Sequence, residues 1–491
     1  MRVKPGVDLW LAPAENAPDL IFLARQAMIR AVVTVAFLFS SSALAAEKPN
    51  IVFILADDLG YGDLGCFGQT KIKTPNLDRM AAEGLRFTQF YAGSTVCAPS
   101  RCALMTGRHT GHCRVRGNGG GGGPNLNVAL KPEDHTVAEL LKSADYATGL
   151  VGKWGLGEDG STGVPTRKGF DSFFGFLNQH HAHDYYPDFL WRDTSRVPMP
   201  ENVHVAPNVA KERVTYASDL FAKEALAFVD AHRTKPFFLY FAVTAPHANN
   251  ERTRFDGHGN EVPDYGEYAK TDWPDPEKGK AAMITRLDAD IGRLLAKLKE
   301  LGLENKTLVI FTSDNGPHKE GGNDPAFFRS SGPLRGIKRA MTEGGIRVPT
   351  IARWPQVIKP GVSDHVGAFW DVLPTLADIV AVPIPANLDG ISFAPTLMGK
   401  PGQKQHEYLY WEFHEGGSKQ AVRSGDWKGI RQNVGGPLQL YDLANDIGEA
   451  KNVAAQHPGV VAKLESYLNS ARSESEHWPL KAAPPAKAKG K

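Results

Sequence analysis

With 491 residues, 42% of them hydrophobic and 22% charged, the chain is long enough to bury a large core and is expected to form one large domain plus a smaller one. A formal net charge of +2 gives no global basic field, and neither a basic helix nor arginines interleaved with aromatics mark a nucleic-acid surface. No nucleic-acid partner is expected, and any anion site must be local.

In chain order, residues 1–27 read as an upstream extension. Residues 28–46 read as a secretory signal peptide: Arg30, an apolar stretch over 31–39, then small residues ending Ala43-Leu44-Ala45-Ala46. That stretch is much shorter than the roughly 20 residues a bilayer span needs, so the expectation is an exported, periplasmic or secreted protein with no membrane span. Apolar runs at 51–56, 148–151, 237–243 and 307–312 are too continuous for strands with one face in water, and they predict buried parallel strands. The clearest helical period runs from Ile284 through Leu287, Ile291, Leu294, Leu295 and Leu298 to Leu301, closed by Gly302.

Such alternation predicts an α/β sandwich, with the large domain over 47–400. Polar residues follow the strand ends: Asp57-Asp58, Lys153, His247 and Asp314-Asn315. Open α/β sheets bind ligands at that edge. The glycine run at 119–123 lacks the Lys-Ser/Thr ending and the introducing strand of a phosphate loop, and reads as a flexible loop. From about Gly402, runs at 408–411, 421–423, 427–430 and 438–443 predict short antiparallel strands, with a helix over 458–471. They define a subdomain over 401–478 in which Trp411 and Trp427 are packing aromatics. The Ala-, Pro- and Lys-rich tail, 479–491, is expected to be disordered.

The run Cys97-Ala98-Pro99-Ser100-Arg101, followed by Leu104, Thr106, Gly107 and Arg108, resembles the maturation signal of the sulfatases. The resemblance extends from Pro49-Asn50-Ile51 to Leu440-Tyr441-Asp442-Leu443. It is to formylglycine-dependent type I sulfatases, arylsulfatase- and N-acetylgalactosamine-sulfatase-like, of the alkaline phosphatase superfamily. Their fold would be a large mixed, mainly parallel sheet sandwiched by helices, with a small C-terminal antiparallel sheet plus helix. In that family a maturation enzyme oxidises the cysteine to formylglycine, so Cys97 would be only a precursor. One hydroxyl of the aldehyde hydrate attacks sulfur and expels the alcohol, and the second then expels sulfate. A serine ester lacks that neighbouring hydroxyl. Conversion would leave Cys66, Cys102 and Cys113, which cannot all pair, so at most one disulfide is expected.

A sulfate monoester is anionic, so its hydrolysis needs a cation on the sulfuryl oxygens, a strong nucleophile and a proton donor for the departing alcohol. Asp57, Asp58, Asp314 and Asn315 supply only oxygen ligands, which suits a hard ion; the resemblance implies Ca²⁺, with Mg²⁺ second, and matured Cys97 as fifth ligand. Arg101, four residues after Cys97, is one helical turn away and positioned to stabilise the hydrate. Lys153 in Gly152-Lys153-Trp154-Gly155 and Lys338 in Leu334-Arg335-Gly336-Ile337-Lys338 match the family's two sulfate-binding lysines. His247 in Ala245-Pro246-His247 matches a histidine near the leaving oxygen.

One departure stands out. Many sulfatases have Lys-Trp-His-Leu-Gly where this chain has Lys153-Trp154-Gly155-Leu156-Gly157, so the histidine that usually contacts the formylglycine hydroxyl is absent. One of His180, His181 and His183 is expected to replace it. The same segment, through Asp184, Tyr185, Tyr186 and Trp191, also has the composition of a sugar-recognising rim, to which Arg114, Arg116 and Asn118 are candidates for binding a carboxylate or second sulfate. The resulting expectation is hydrolysis of O-sulfate esters, on a sulfated sugar or a small sulfate ester. The rivals are a phosphodiesterase or phosphonate monoester hydrolase of the same superfamily, and an unmatured sulfated-glycan-binding pseudoenzyme.

Overall fold

The computed structural model describes residues 48–119 and 128–482, together with positions 6, 8 and 10. The rest of the expected extension, the signal peptide, most of the glycine run and residues 483–491 lie outside the described residues. Ten strands form the main sheet: β1 (Asn50–Ala56), β2 (Leu85–Phe87), β3 (Ala147–Lys153), β4 (Ser172–Phe176), β5 (Phe189–Arg192), β6 (Ser195–Pro198), β7 (Phe237–Ala242), β8 (Thr307–Ser313), β9 (Thr350–Arg353) and β10 (Gly361–Ser363). Their order is β10-β2-β9-β8-β1-β7-β3-β4-β5-β6. The centre, β8-β1-β7-β3-β4, is parallel throughout, and antiparallel pairs flank it on both sides.

The central strands are buried on both faces, which is why their sequences are continuous rather than alternating. Val52, Ile54, Leu239, Phe241, Val309 and Phe311 point to one face, covered by α1 (Pro75–Ala82), α4 (Ala217–Ala231) and α5 (Asp275–Glu300). Ile51, Phe53, Leu55, Phe238, Tyr240, Leu308 and Ile310 point to the other, covered by α2 (Cys97–Thr106), α3 (Val137–Ser143) and α6 (Val372–Ile379). Helix α5 begins nine residues before the apolar period at Ile284. Its opening turns carry polar residues that are nonetheless buried: Glu277 accepts from the Asp324 amide at 2.5 Å, and Lys280 donates to Ser330 at 2.6 Å. Periodicity registers only apolar burial and misses such turns. Among the described residues no helix is long and apolar enough to cross a membrane.

The C-terminal sheet is an antiparallel meander of β11 (Leu409–Phe413), β12 (Lys419–Ser424), β13 (Trp427–Arg431) and β14 (Leu438–Asp442). Leu409, Trp411 and Phe413 pack with Tyr91, Ala103 and Trp370 of the larger part, whereas Tyr410 faces Leu464 and Leu468 of α7 (Pro458–Ser470). Trp411 is fully buried and donates its indole N–H to Ala92 O at 2.9 Å. The tail expected to be disordered from 479 is instead held as far as Lys481, whose backbone exchanges hydrogen bonds with Ser418 at 2.8 and 2.9 Å. All four cysteines are free.

A buried ion cluster ties the small sheet to the larger part of the chain. The Lys428 ammonium lies 2.8 Å from Glu343 and 3.1 Å from Glu449, all three side chains fully buried, and Glu343 also accepts from Tyr91 at 2.6 Å. Burial alone would raise the Glu343 carboxyl, but Lys428, Arg347 and Arg423 hold it down at about 2. Lys428→Met should leave two buried glutamates without their shared counter-ion and cost about 3–5 kcal/mol of unfolding free energy. Denaturant titration measures it, and a loss below about 1 kcal/mol, typical of a surface pair, would contradict the assignment.

Candidate active site

The parallel centre brings the ends of β1, β3, β7 and β8 to one edge, and the residues after them meet there. The Asp57 amide donates to Ala245 O at 3.2 Å, the Asp314 amide to Ala56 O at 3.0 Å, and the Asp58 amide to Asp314 Oδ1 at 3.2 Å. Asp58 adopts a φ of +64°, a left-handed conformation that aspartate tolerates better than most residues. Helix α2 delivers Cys97 at its first position and Arg101 one turn later. All ten of its residues are buried, Asn118 Oδ1 accepts from the Ala98 amide at 2.8 Å, and Gly107 ends the helix.

Three carboxylates and three cations are interleaved, all of them buried. Lys153 Nζ sits 2.5 Å from Asp57 Oδ2, and Lys338 Nζ 2.7 Å from Asp58 Oδ2. Arg101 donates through Nε and Nη2 to Asp314 Oδ2 at 3.0 and 2.8 Å and through Nη1 to Lys153 O at 2.7 Å. Burial would raise the Asp57 carboxyl, yet Lys153, His247, Arg101 and Lys338 hold it well below its ordinary value. Asp314 is pushed up to about 7 by burial and the charge of Asp57, against the pull of Arg101. Asn315 donates to Asp58 Oδ1 at 2.6 Å, while its own Oδ1 is buried with no hydrogen-bond partner. Asp57, Asp58, Asp314 and Asn315 thus form an oxygen-only donor set with an orphaned carbonyl, and this fits a hard divalent cation.

Cys97 Sγ lies 3.2 Å from Asp57 Oδ1. Burial, with Asp57 beside it, raises the thiol well above its ordinary pKa, so the encoded side chain is a neutral thiol rather than a thiolate. His247 faces Ala248 O through Nδ1 at 2.7 Å; since a carbonyl only accepts, Nδ1 carries the hydrogen and Nε2 is free to accept from Lys338 Nζ at 3.1 Å. Burial and Lys338 keep this imidazole neutral.

These groups open on a cavity of about 150 Å³ lined by Cys97, Lys153, His247, Lys338 and, from the rim, His180 and His183. Asp57, Asp58, Cys97, Arg101, Lys153, His247, Asp314, Asn315 and Lys338 therefore converge on one site. The rim is only partly as expected. His183 stacks on His247 with ring centroids 4.7 Å apart and meets Glu251 Oε2 through Nδ1 at 2.9 Å; His180 reaches Oε1 of the same carboxylate at 3.0 Å. His181 is a correction: its ring packs between Phe176 and Phe189 and does not line the cavity. Arg116 is another. Its guanidinium is buried against Glu412 at 2.9 Å, Cys113 O and Ser473, so all three of its nitrogens are engaged in tying the loop after α2 to the C-terminal part. Arg114 is likewise bound to Asp134 and Glu133, whereas Asn118 does line the cavity.

Sequence reading missed Gln179, Glu251, Arg339 and Glu415. Arg339 and Glu415 pair at 2.8 Å on the cavity wall, so the turn between β11 and β12 reaches the site. Nothing in the local sequence marks them, because each is defined by long-range packing.

A small, cation-rich pocket of this kind suits an enzyme that handles an anionic ester group. Comparison with known proteins narrows the class. The profile of the family described as Sulfatase matches residues 49–382, and that described as N-sulphoglucosamine sulphohydrolase, C-terminal, matches residues 337–474. Arylsulfatase A of Homo sapiens is 35% identical over 475 residues, covering 86% of this chain and 87% of that protein. The N-acetylgalactosamine-6-O-sulfatase of Bacteroides thetaiotaomicron is 31% identical, covering 87% and 94%. The crystal structure of Ps i-CgsB in complex with k-i-k-neocarrahexaose superposes with a TM-score of 0.73 at 28% identity, covering 89% of this chain and 95% of that one. The chain belongs to the sulfatase family. It is a sulfuric ester hydrolase.

Arg101→Lys keeps the charge but gives up the planar fork that spans Asp314 and Lys153 O. The expected loss is about 2–3 kcal/mol of unfolding free energy, since hydrogen bonds to buried charges are among the strongest. A change under about 0.5 kcal/mol in denaturant titration would show that the fork is dispensable.

Proposed function

We propose that the chain hydrolyses O-sulfate esters of a sulfated carbohydrate, with a formylglycine made from Cys97 as nucleophile and Ca²⁺ held by Asp57, Asp58, Asp314 and Asn315. The observation that carries this reading is the state of Cys97 itself. A thiol held neutral by burial beside Asp57 is a poor nucleophile, yet it stands at the one point where the lysines, Arg101 and His247 converge, as a precursor to a different group would. An aldehyde hydrate there would supply an attacking hydroxyl and a second hydroxyl for release of sulfate. The cation would supply electrophilic stabilisation of the sulfuryl oxygens.

The chain's own residues account for the remainder. Asp57 accepts from the Cys97 position at 3.2 Å and is the group placed to take a proton from the nucleophile. Lys153 and Lys338, paired with carboxylates in the free protein, can turn their ammonium groups to the sulfuryl oxygens. Lys338 also carries the proton that His247 Nε2 accepts, and the pair together can deliver it to the leaving alkoxide. Asp314 and Lys153 O fix Arg101, which in turn keeps the carboxylate cluster in register.

A carbohydrate as the alcohol is supported by a rim of hydrogen-bonding side chains, Asn118, Asn178, Gln179, His180, Asn250 and Glu415, and by the names of the relatives. Export, with residues 28–46 as signal peptide, and a maturation enzyme acting on Cys97 belong to the same proposal.

Cys97→Ala should abolish sulfate release, and chelation with EDTA should abolish it reversibly, with Ca²⁺ restoring more activity than Mg²⁺. Mass spectrometry of the Cys97 peptide checks conversion. Unmodified Cys97 in protein that still releases sulfate would overturn the mechanism, and preference for phosphate diesters would overturn the substrate class. His247→Ala should cost a sugar sulfate about 10²–10⁴-fold in kcat/KM but 4-nitrophenyl sulfate about tenfold or less, because a nitrophenolate leaves without a proton. Equal losses on both substrates would remove His247 from the proton path.

A further inference from the structure

Gly155 and Gln179 share one space. β3 and β4 run parallel, with Lys153 beside Phe176, and the pairing continues past the strands as the Trp154 amide donates to Phe176 O at 2.9 Å and the Gly155 amide to Leu177 O at 3.0 Å. That register carries Gln179 across the face of Gly155. A Cβ on Gly155 would lie 1.8 Å from Gln179 Nε2 and 2.6 Å from its Cδ, and Gly155 has a φ of +79°, which side-chain-bearing residues seldom adopt. No side chain at 155 is compatible with Gln179 where it is.

The amide of Gln179 is also chemically conspicuous. The residue is 7% exposed, it lines the cavity with Cys97, Lys153 and Lys338, and neither Nε2 nor Oε1 has a hydrogen-bond partner. A buried amide left unsatisfied costs about 1–3 kcal/mol, so it persists only if something else satisfies it. On the same cavity Lys153 and Lys338 offer donors to an anion, and a carboxamide can turn its NH2 toward the same anion.

Building on the sulfatase reading, we propose that Gln179 is a substrate-contacting residue of this site, donating its side-chain NH2 to a sulfuryl oxygen of the ester and of the product sulfate from the side that Gly155 leaves open. It takes the place for which a histidine of the His180–His183 segment was expected. An amide donates and accepts hydrogen bonds but takes up no proton, so Gln179 positions and stabilises the sulfuryl group and is not the base that releases sulfate. His183, whose Nδ1 is tied to Glu251, stacks on His247 beside it without filling that space.

The test uses the full chain with Cys97 conversion verified in every variant, inorganic sulfate as the probe, and two near-isosteric substitutions. Gln179→Met keeps length and volume without the amide, and Gln179→Glu places a carboxylate against the anion. Calorimetric titration should show sulfate binding weakened about tenfold to a hundredfold by Gln179→Met, the range for a hydrogen bond to a charged group, and lost in Gln179→Glu. The thermal midpoint of Gln179→Met without sulfate should equal or exceed that of the parent, because an unsatisfied buried amide has been removed. Its kcat on a sulfate ester should fall by about 10²-fold, the scale for one oxyanion donor.

Sulfate affinity and kcat/KM both within threefold of the parent would overturn the proposal. So would a lowered midpoint with unchanged sulfate affinity, which is the signature of a purely structural glutamine. A parent chain that binds sulfate through Gln179 yet cleaves no sulfate ester would instead overturn the proposed function and leave this contact standing.

Discussion

Three carboxylates and three cations buried together at the end of a parallel sheet form the constraint around which this molecule is organised. Asp57, Asp58 and Asp314 face Lys153, Lys338 and Arg101 with essentially no solvent between them. Each charge alone would be costly to bury, and the set is tolerable only because every ion has an opposite partner within hydrogen-bond distance. That requirement fixes the strand ends relative to one another and fixes α2 relative to the sheet, since Arg101 must reach both Asp314 and the Lys153 carbonyl. Cys97, the position proposed for the nucleophile, is thereby located by the same contacts that hold the fold.

With the Asp314 carboxyl at about 7, the site holds at most three carboxylate charges against three cations. For the proposed sulfate ester to be recognised there, the cations must be offered to something other than the carboxylates. A hard cation on the acidic side would release Lys153 and Lys338 toward an anionic ester, which links metal loading and sulfate recognition through ordinary charge neutralisation. The C-terminal sheet participates less directly. Its docking through Trp411, Arg116–Glu412 and the Lys428 cluster brings Glu415 to the cavity wall, so the rim is assembled from both parts of the chain. A substitution in that docking face would be felt at the rim through geometry alone.

The strands, the long helix and the meander were legible because buried parallel strands and amphipathic helices leave a direct hydrophobic pattern. Most of the positions that the site brings together were legible too, since they follow strand ends or lie in one contiguous motif, with Lys338 marked by its own short segment. Legibility failed wherever a side chain's role depends on what the other end of the chain places beside it. Arg116 looked like an anion ligand until Glu412, 296 positions away, claimed it. His181 alternates with two rim histidines in sequence, but the short 3₁₀ turn His181–His183 points it back onto Phe176 and Phe189.

The amino-acid sequence by itself determined the sandwich, the family resemblance and the identity of the groups at the strand ends, because local pattern and strand polarity suffice for those. Only the tertiary structure decided how the missing histidine is answered. Gly155 in isolation reads as a loss. It becomes a complement when the parallel register of β3 and β4 lays Gln179 across it, and register between strands separated by some twenty residues is set by packing across the sheet rather than by either segment's own sequence.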